Sequence, residues 1–220
     1  MRRRLFALTF IISSLSIIAF AGSNKLEPVG AFSDAAAADS LKKVLEDKGY
    51  RVTLADGTTL CDIWLRKAVP TQQKKDVSGA IYTEIADSAI IGVVSFPKTS
   101  SDFRGQEIKA GAYTLRYSLH PTDGNHMGIS PYRDFLLLVP ISSDQNAEAT
   151  YKFEDLMKLS AKTNGSNHPS PFCLLTNESK SDAPTLSENE HSYVIFNAKL
   201  KSASGAAVPI AFVVKGQAEQ

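Results

Sequence analysis

Residues 119 to 135 read LHPTDGNHMGISPYRDF. This stretch gathers His120, Asp123, Asn125, His126, Tyr132, Arg133 and Asp134 between two strand-like runs, and such a set is open to three chemistries. His120, Asp123 and His126 are imidazole and carboxylate donors of the kind a divalent metal takes, and His168, in GSNHPSPF, is a further imidazole. A metal-dependent hydrolase would be built on them, although the spacing of the two loop histidines matches no closed metal motif. Asp123-Gly124-Asn125 opens like an oxygen-ligand calcium loop, but His126-Met127-Gly128 breaks the pattern. The whole set, with Arg116 upstream, can instead hydrogen-bond a polar small molecule or a glycan. Against all three stands a plainer alternative, in which Asp123-Gly124 makes a turn and Arg133 or His126 is tied to a carboxylate or a backbone carbonyl to hold the loop.

The elements around the loop decide what it can reach. Upstream, Tyr113, Leu115, Tyr117 and Leu119 alternate with Thr114, Arg116, Ser118 and His120, so a strand delivers a polar row directly into the loop. Downstream, Phe135 to Val139 is apolar at both parities, as in a central strand covered on both faces. The connection from His120 to Arg133 is long for a compact domain, and loops of that length are generally functional or disordered. Met127, Ile129 and Tyr132 give it apolar feet.

Further strands are expected at Ala89 to Phe96, Phe172 to Leu175, Ser192 to Leu200 and Val208 to Val214, with a hairpin over Tyr50 to Leu65 that turns at Ala55-Asp56-Gly57. Pro209 suggests an edge or strand-entry position. One short helix is expected after a cap at Ser33 or Asp34, ending at Gly49. A second runs from Phe153 to Lys162 and ends at Asn164-Gly165. Residues 22–32 read as a flexible lead-in, and Asn177 to Glu190 as a solvated loop. Trp64, opposite in parity to Cys61 and Ile63, is expected under a neighbouring element. The fold class is therefore all-β, an antiparallel sandwich or partly open barrel with two short helices, in a single domain over 33–220.

The chain opens MRRRLFALTFIISSLSIIAFA, a basic start and an apolar run closing on a small-x-small site, which predicts a secretory signal over 1–21. That segment holds three arginines and no acid, so 24 basic residues fall to 21 against 23 acids on cleavage, a net charge of −2. Such a surface argues against nucleic acid as a partner, and the membrane is met only through the signal. In an oxidising compartment Cys61 and Cys173 could form one bridge or remain two buried thiols. Asn164-Gly165-Ser166 and Asn177-Glu178-Ser179 match glycosylation sequons, and Arg104-Gly105 is a second anion contact or a solvated arginine. The sequence contains no G-x-S-x-G elbow, P-loop, G-x-G-x-x-G or H-E-x-x-H.

The run IKAGAYTLRYSLHP, Ile108 to Pro121, with DGNHMG and PYRDF after it, resembles an uncharacterised family of exported bacterial proteins known only as a domain of unknown function. The likeness is most specific over Ile108 to Val139. It implies export and a β-rich fold, and it assigns no activity to any residue.

These observations lead to an exported or periplasmic binding or accessory domain using the 120–134 loop, with no catalytic residue assigned. The alternatives are the metal-dependent hydrolase and an interaction module for another envelope protein. The mature chain should begin at Gly22, which intact mass of the exported protein checks; a chain retaining Met1 to Ala21 in the membrane fraction contradicts it.

Overall fold

The computed structural model describes residues 22–121 and 130–218. In chain order the elements are β1 (Lys25–Val29), α1 (Asp39–Val44), β2 (Gly49–Thr53), β3 (Thr59–Leu65), β4 (Ile90–Phe96), the two-residue β5 (Ser100–Ser101) and β6 (Glu107–Ile108), β7 (Gly111–Leu119), β8 (Asp134–Pro140), α2 (Phe153–Ala161), β9 (Pro171–Leu175), β10 (Thr185–Glu188), β11 (Val194–Lys201) and β12 (Ala207–Lys215). Ten strands form one antiparallel sheet in the order β1-β2-β3-β4-β7-β8-β9-β12-β11-β10, while β5 and β6 make a separate small hairpin. The sheet curls into a nearly closed barrel, and Asn24 Nδ2 donates to Glu188 Oε2 at 3.0 Å across the seam between β1 and β10. The all-β class with two helices holds, in its barrel form.

Period-two alternation fills the barrel. Ile63, Val94, Leu115, Tyr117, Leu136, Phe172, Phe196 and Phe212 point inward from successive strands and are fully or almost fully buried. The long β3–β4 connection plugs one end with Tyr82 and Ile85. The interior is therefore packed side chain, as in other small barrels.

Two layers cover the outside of the sheet. The segment around α1 lays Phe32, Leu41 and Leu45 over Trp64, Ile90 and Val93. Trp64 is buried there, its Nε1 donating to Gly30 O at 2.8 Å, as its parity predicts. Further along, α2 sets Leu156 on Leu137 and Val139, so β8 is covered on both faces.

Several local expectations are corrected. The lead-in contributes edge strand β1, paired with β2 from Lys25↔Thr53 to Val29↔Gly49. Likewise β10 lies inside the segment read as a solvated loop, and pairs with β11. Both are outermost strands with little apolar surface, the kind of edge whose polar side chains blunt unwanted pairing. Helix α1 starts at Asp39 behind Ala38, whose N–H donates to Gln145 Oε1 at 2.5 Å, so neither Ser33 nor Asp34 caps it. It ends at Val44, and Gly49 instead begins β2. A Cβ at Gly49 would stand 2.4 Å from Trp64 Nε1, so only glycine admits the indole there. Pro209 faces Lys199 of β11, in the first part of β12, before pairing with β9 begins at Ala211; this is the strand-entry case.

The two cysteines are free and buried. Cys61 points into the barrel, whereas Cys173 faces outward beside Phe103, Ile195 and Ala211, and strands β4, β7 and β8 stand between β3 and β9. Side chains on opposite faces of a sheet cannot meet the geometry of a disulfide, so the bridge is excluded in this fold. Burial pushes the Cys173 thiol up to about 11, and that of Cys61 higher still.

Candidate functional site

Of the residues singled out from the sequence, Arg116 is among those fully buried. It sits on the outer face of β7, as parity requires, and is buried with Asp144. Nε donates to Asp144 Oδ2 at 2.6 Å and Nη2 to Oδ1 at 2.8 Å. Nη2 also donates to Asn146 O at 3.0 Å, and Nη1 to Ala149 O at 2.9 Å and to Ser88 O. Tyr151 places its ring 4.7 Å from the guanidinium carbon. Arg116 is thus a fully satisfied anchor with no face left for a ligand. Thr114 and Arg116 of the polar row on β7 are covered by the segment after β8 instead of opening to solvent.

Asp134 is corrected in the same way. Its carboxylate is buried and accepts from Ile81 N at 2.7 Å, Tyr82 N at 3.2 Å and Tyr117 Oη at 2.6 Å, which locks the barrel plug in place. Burial, together with that contact, holds the Tyr117 phenol far above its ordinary range. Arg133 follows the plainer alternative: Nε donates to His120 O at 2.9 Å and Nη1 to Ser78 O at 3.1 Å, closing the stem of the loop. Tyr132 turns elsewhere, its hydroxyl 3.0 Å from Thr176 Oγ1. Asp123, Asn125 and His126 lie outside the described residues, as do Met127 and Ile129. Among the described residues no group of three His, Cys, Asp or Glu side chains is placed to hold a metal ion.

His120 and His168 do converge. Both line a cavity of about 280 Å³ on the outer face of the sheet, between α2 and the segment leading into β9. Phe135 and Leu137 of β8 line it from the sheet, Phe153 and Met157 from one side of α2, and Pro169 and Pro171 close it opposite. Ser118, Asn167 and Arg104 complete the lining with polar groups. The His120 ring stands edge-on to Phe153 with centroids 5.6 Å apart, and its Nδ1 lies 2.9 Å from Pro121 O.

The local sequence explains why this cavity is held open. Along α2 the stripe divides: Leu156 and Ser160 face the sheet and are buried, while Phe153 and Met157, four residues apart, stay half-buried at the side. Ser160 Oγ accepts from Ser170 N at 3.0 Å, and Asn164 Nδ2 donates to His168 O at 3.1 Å and Ser170 Oγ at 2.8 Å, fixing the far wall. Gly165, at φ +70°, ends the helix turn as expected. Asp102 Oδ1 accepts from Arg104 N and Gln106 N, both at 2.9 Å, and Gln106 Nε2 donates to Pro169 O at 2.8 Å. Burial raises the Asp102 carboxyl even so. The two sequon asparagines are likewise engaged, Asn177 donating to Ala198 O and Ile210 O, so each serves as an internal clasp.

Sequence reasoning named both histidines and gave Arg104 as an anion contact or a solvated side chain, but missed Phe153 and Met157 as cavity walls. The signal was present in α2, where Phe153 and Met157 flank the Leu156-Ser160 line. No protein-family model, no curated protein and no solved structure matches the chain.

Asp134→Ala should destabilise the fold by about 1 to 3 kcal/mol, because it strands two backbone N–H groups and a buried phenol. Thermal or urea unfolding measures this, and a variant as stable as the native chain would remove Asp134 from its structural role.

Proposed function

We propose that the protein is an exported, non-catalytic binding domain whose ligand enters the cavity beside α2. The observation that carries this reading is a preformed hollow with an apolar body and a few polar groups at its margin, built on rigid elements. Sites for small molecules have that composition, and at about 280 Å³ this one lies just below the usual range of about 300–1,000 Å³. The packed barrel interior directs attention to the outer face. Export rests on the N-terminal pattern of basic residues, apolar run and small-x-small site.

The proposed site differs from the loop expected from the sequence. The loop stem supplies His120 alone among the described residues, and most of the lining comes from α2, β8 and residues 167–171. The ligand is accordingly more apolar than the polar molecule or glycan expected from the loop.

An uncharged fluorescent probe, N-phenyl-1-naphthylamine, should bind the native protein with enhanced emission. Met157→Trp, which places a larger side chain at a half-buried wall position, should weaken that binding at least about tenfold, roughly 1.4 kcal/mol, and leave the melting temperature nearly unchanged. Binding unaffected by Met157→Trp, or no binding to the native protein, would defeat the proposal.

A further inference from the structure

Resting on the cavity as a binding site, we infer that its ligand is a small monocarboxylate with an apolar body, and that Arg104 receives the carboxylate.

The first observation is a difference among arginines. Arg51 is paired with Asp62, Arg66 with Glu148, Arg116 with Asp144, and Arg133 with the carbonyls of His120 and Ser78. Arg104 alone among the described arginines has neither a carboxylate nor a hydrogen-bond partner for its guanidinium among the described residues, and it is the one that lines the cavity. It is also half-buried, so water is partly withdrawn from it. A planar guanidinium in that position suits a carboxylate, which it can bind through two parallel N–H···O bonds.

A second observation is the fixed placement of Arg104. It sits in a turn locked by Asp102, with Gly105 at φ +77°, and Phe103 N donates to Pro171 O at 3.0 Å. The nearest acid in sequence, Asp102, engages the backbone of Arg104 and the backbone and side chain of Gln106, so it does not compete for the guanidinium.

The third is the charge of the lining. Among the described residues no aspartate or glutamate lines it, and His168, Ser118 and Asn167 add groups that can donate hydrogen bonds. One arginine beside hydrogen-bond donors matches a single carboxylate; a dianion would call for a second arginine or lysine. The apolar walls then take an aryl or short alkyl body of modest size.

The test is calorimetric titration at pH 8 with phenylbutanoate, phenylbutanol and phenylbutylamine, three probes that share one apolar body. Phenylbutanoate should bind tightest. Arg104→Gln should weaken it at least about tenfold, as loss of a charge-assisted pair implies, and leave phenylbutanol within about twofold. Arg104→Lys, which keeps charge but loses the fork, should fall between. Equal affinity for the acid and the alcohol, a preference for the amine, or indifference of phenylbutanoate to Arg104→Gln would overturn the carboxylate assignment. If none of the three binds while N-phenyl-1-naphthylamine does, the ligand class is wrong and the cavity stands. If that probe also fails, the binding reading falls with it.

Discussion

The placement of everything outside the barrel depends on one buried charge. Arg116 occupies a wall strand, and its guanidinium is out of water altogether. Desolvating such a group is tolerable only if its charge and its N–H donors are met in good geometry. Those partners come from a single stretch: the Asp144 carboxylate, the carbonyls of Asn146 and Ala149, and the ring of Tyr151, with Ser88 O from the other side. The chain after β8 must therefore run across the outer face of β7. That course delivers Phe153, the first residue of α2, beside His120, and lets Leu156 settle on β8. One wall of the cavity is thus a consequence of where Arg116 finds its counter-charge.

A division of labour follows. The inward faces of the strands make a dry, filled core, and the plug at Tyr82 and Ile85 is pinned by Asp134. Stability resides there. Outside, α2 leaves a gap because its apolar stripe is wider than its line of contact: Leu156 and Ser160 meet the sheet, while Phe153 and Met157 overhang. The turn at Asp102 and the segment 167–171 are clasped to each other by hydrogen bonds, so the gap has a rigid opposite wall. A rigid hollow binds without the entropy cost of ordering its own walls.

Much of the barrel was legible because the interior strands are marked by short alternating or wholly apolar runs bounded by turn residues: β4, β7, β8, β9, β11 and β12 all fall where those runs place them. The outermost strands β1 and β10 were not, since an edge strand buries little and carries no clear apolar face. Parity put Arg116 on the correct side of its strand but could not say whether that side met water or a second layer. The deciding partner, Asp144, is distant in sequence and sits in a stretch with no pattern of its own. Asp134 misled in the same way, a polar residue next to a polar loop that turns inward to cap backbone N–H groups. His120 and His168 were named for their chemistry, and their convergence arises from the clasps at Ser160 and Asn164, which only the folded chain brings into register.

The most direct test of the account is to map which backbone amides respond when the neutral probe phenylbutanol is titrated into isotope-labelled protein and followed by NMR. The account predicts shifts concentrated at Ser118 to His120, Phe153 to Met157 and Asn167 to His168, with inward-facing Ile63, Leu115 and Phe212 unmoved. Shifts centred on the barrel interior, or at Tyr132 and Thr176 on the other side, would contradict it.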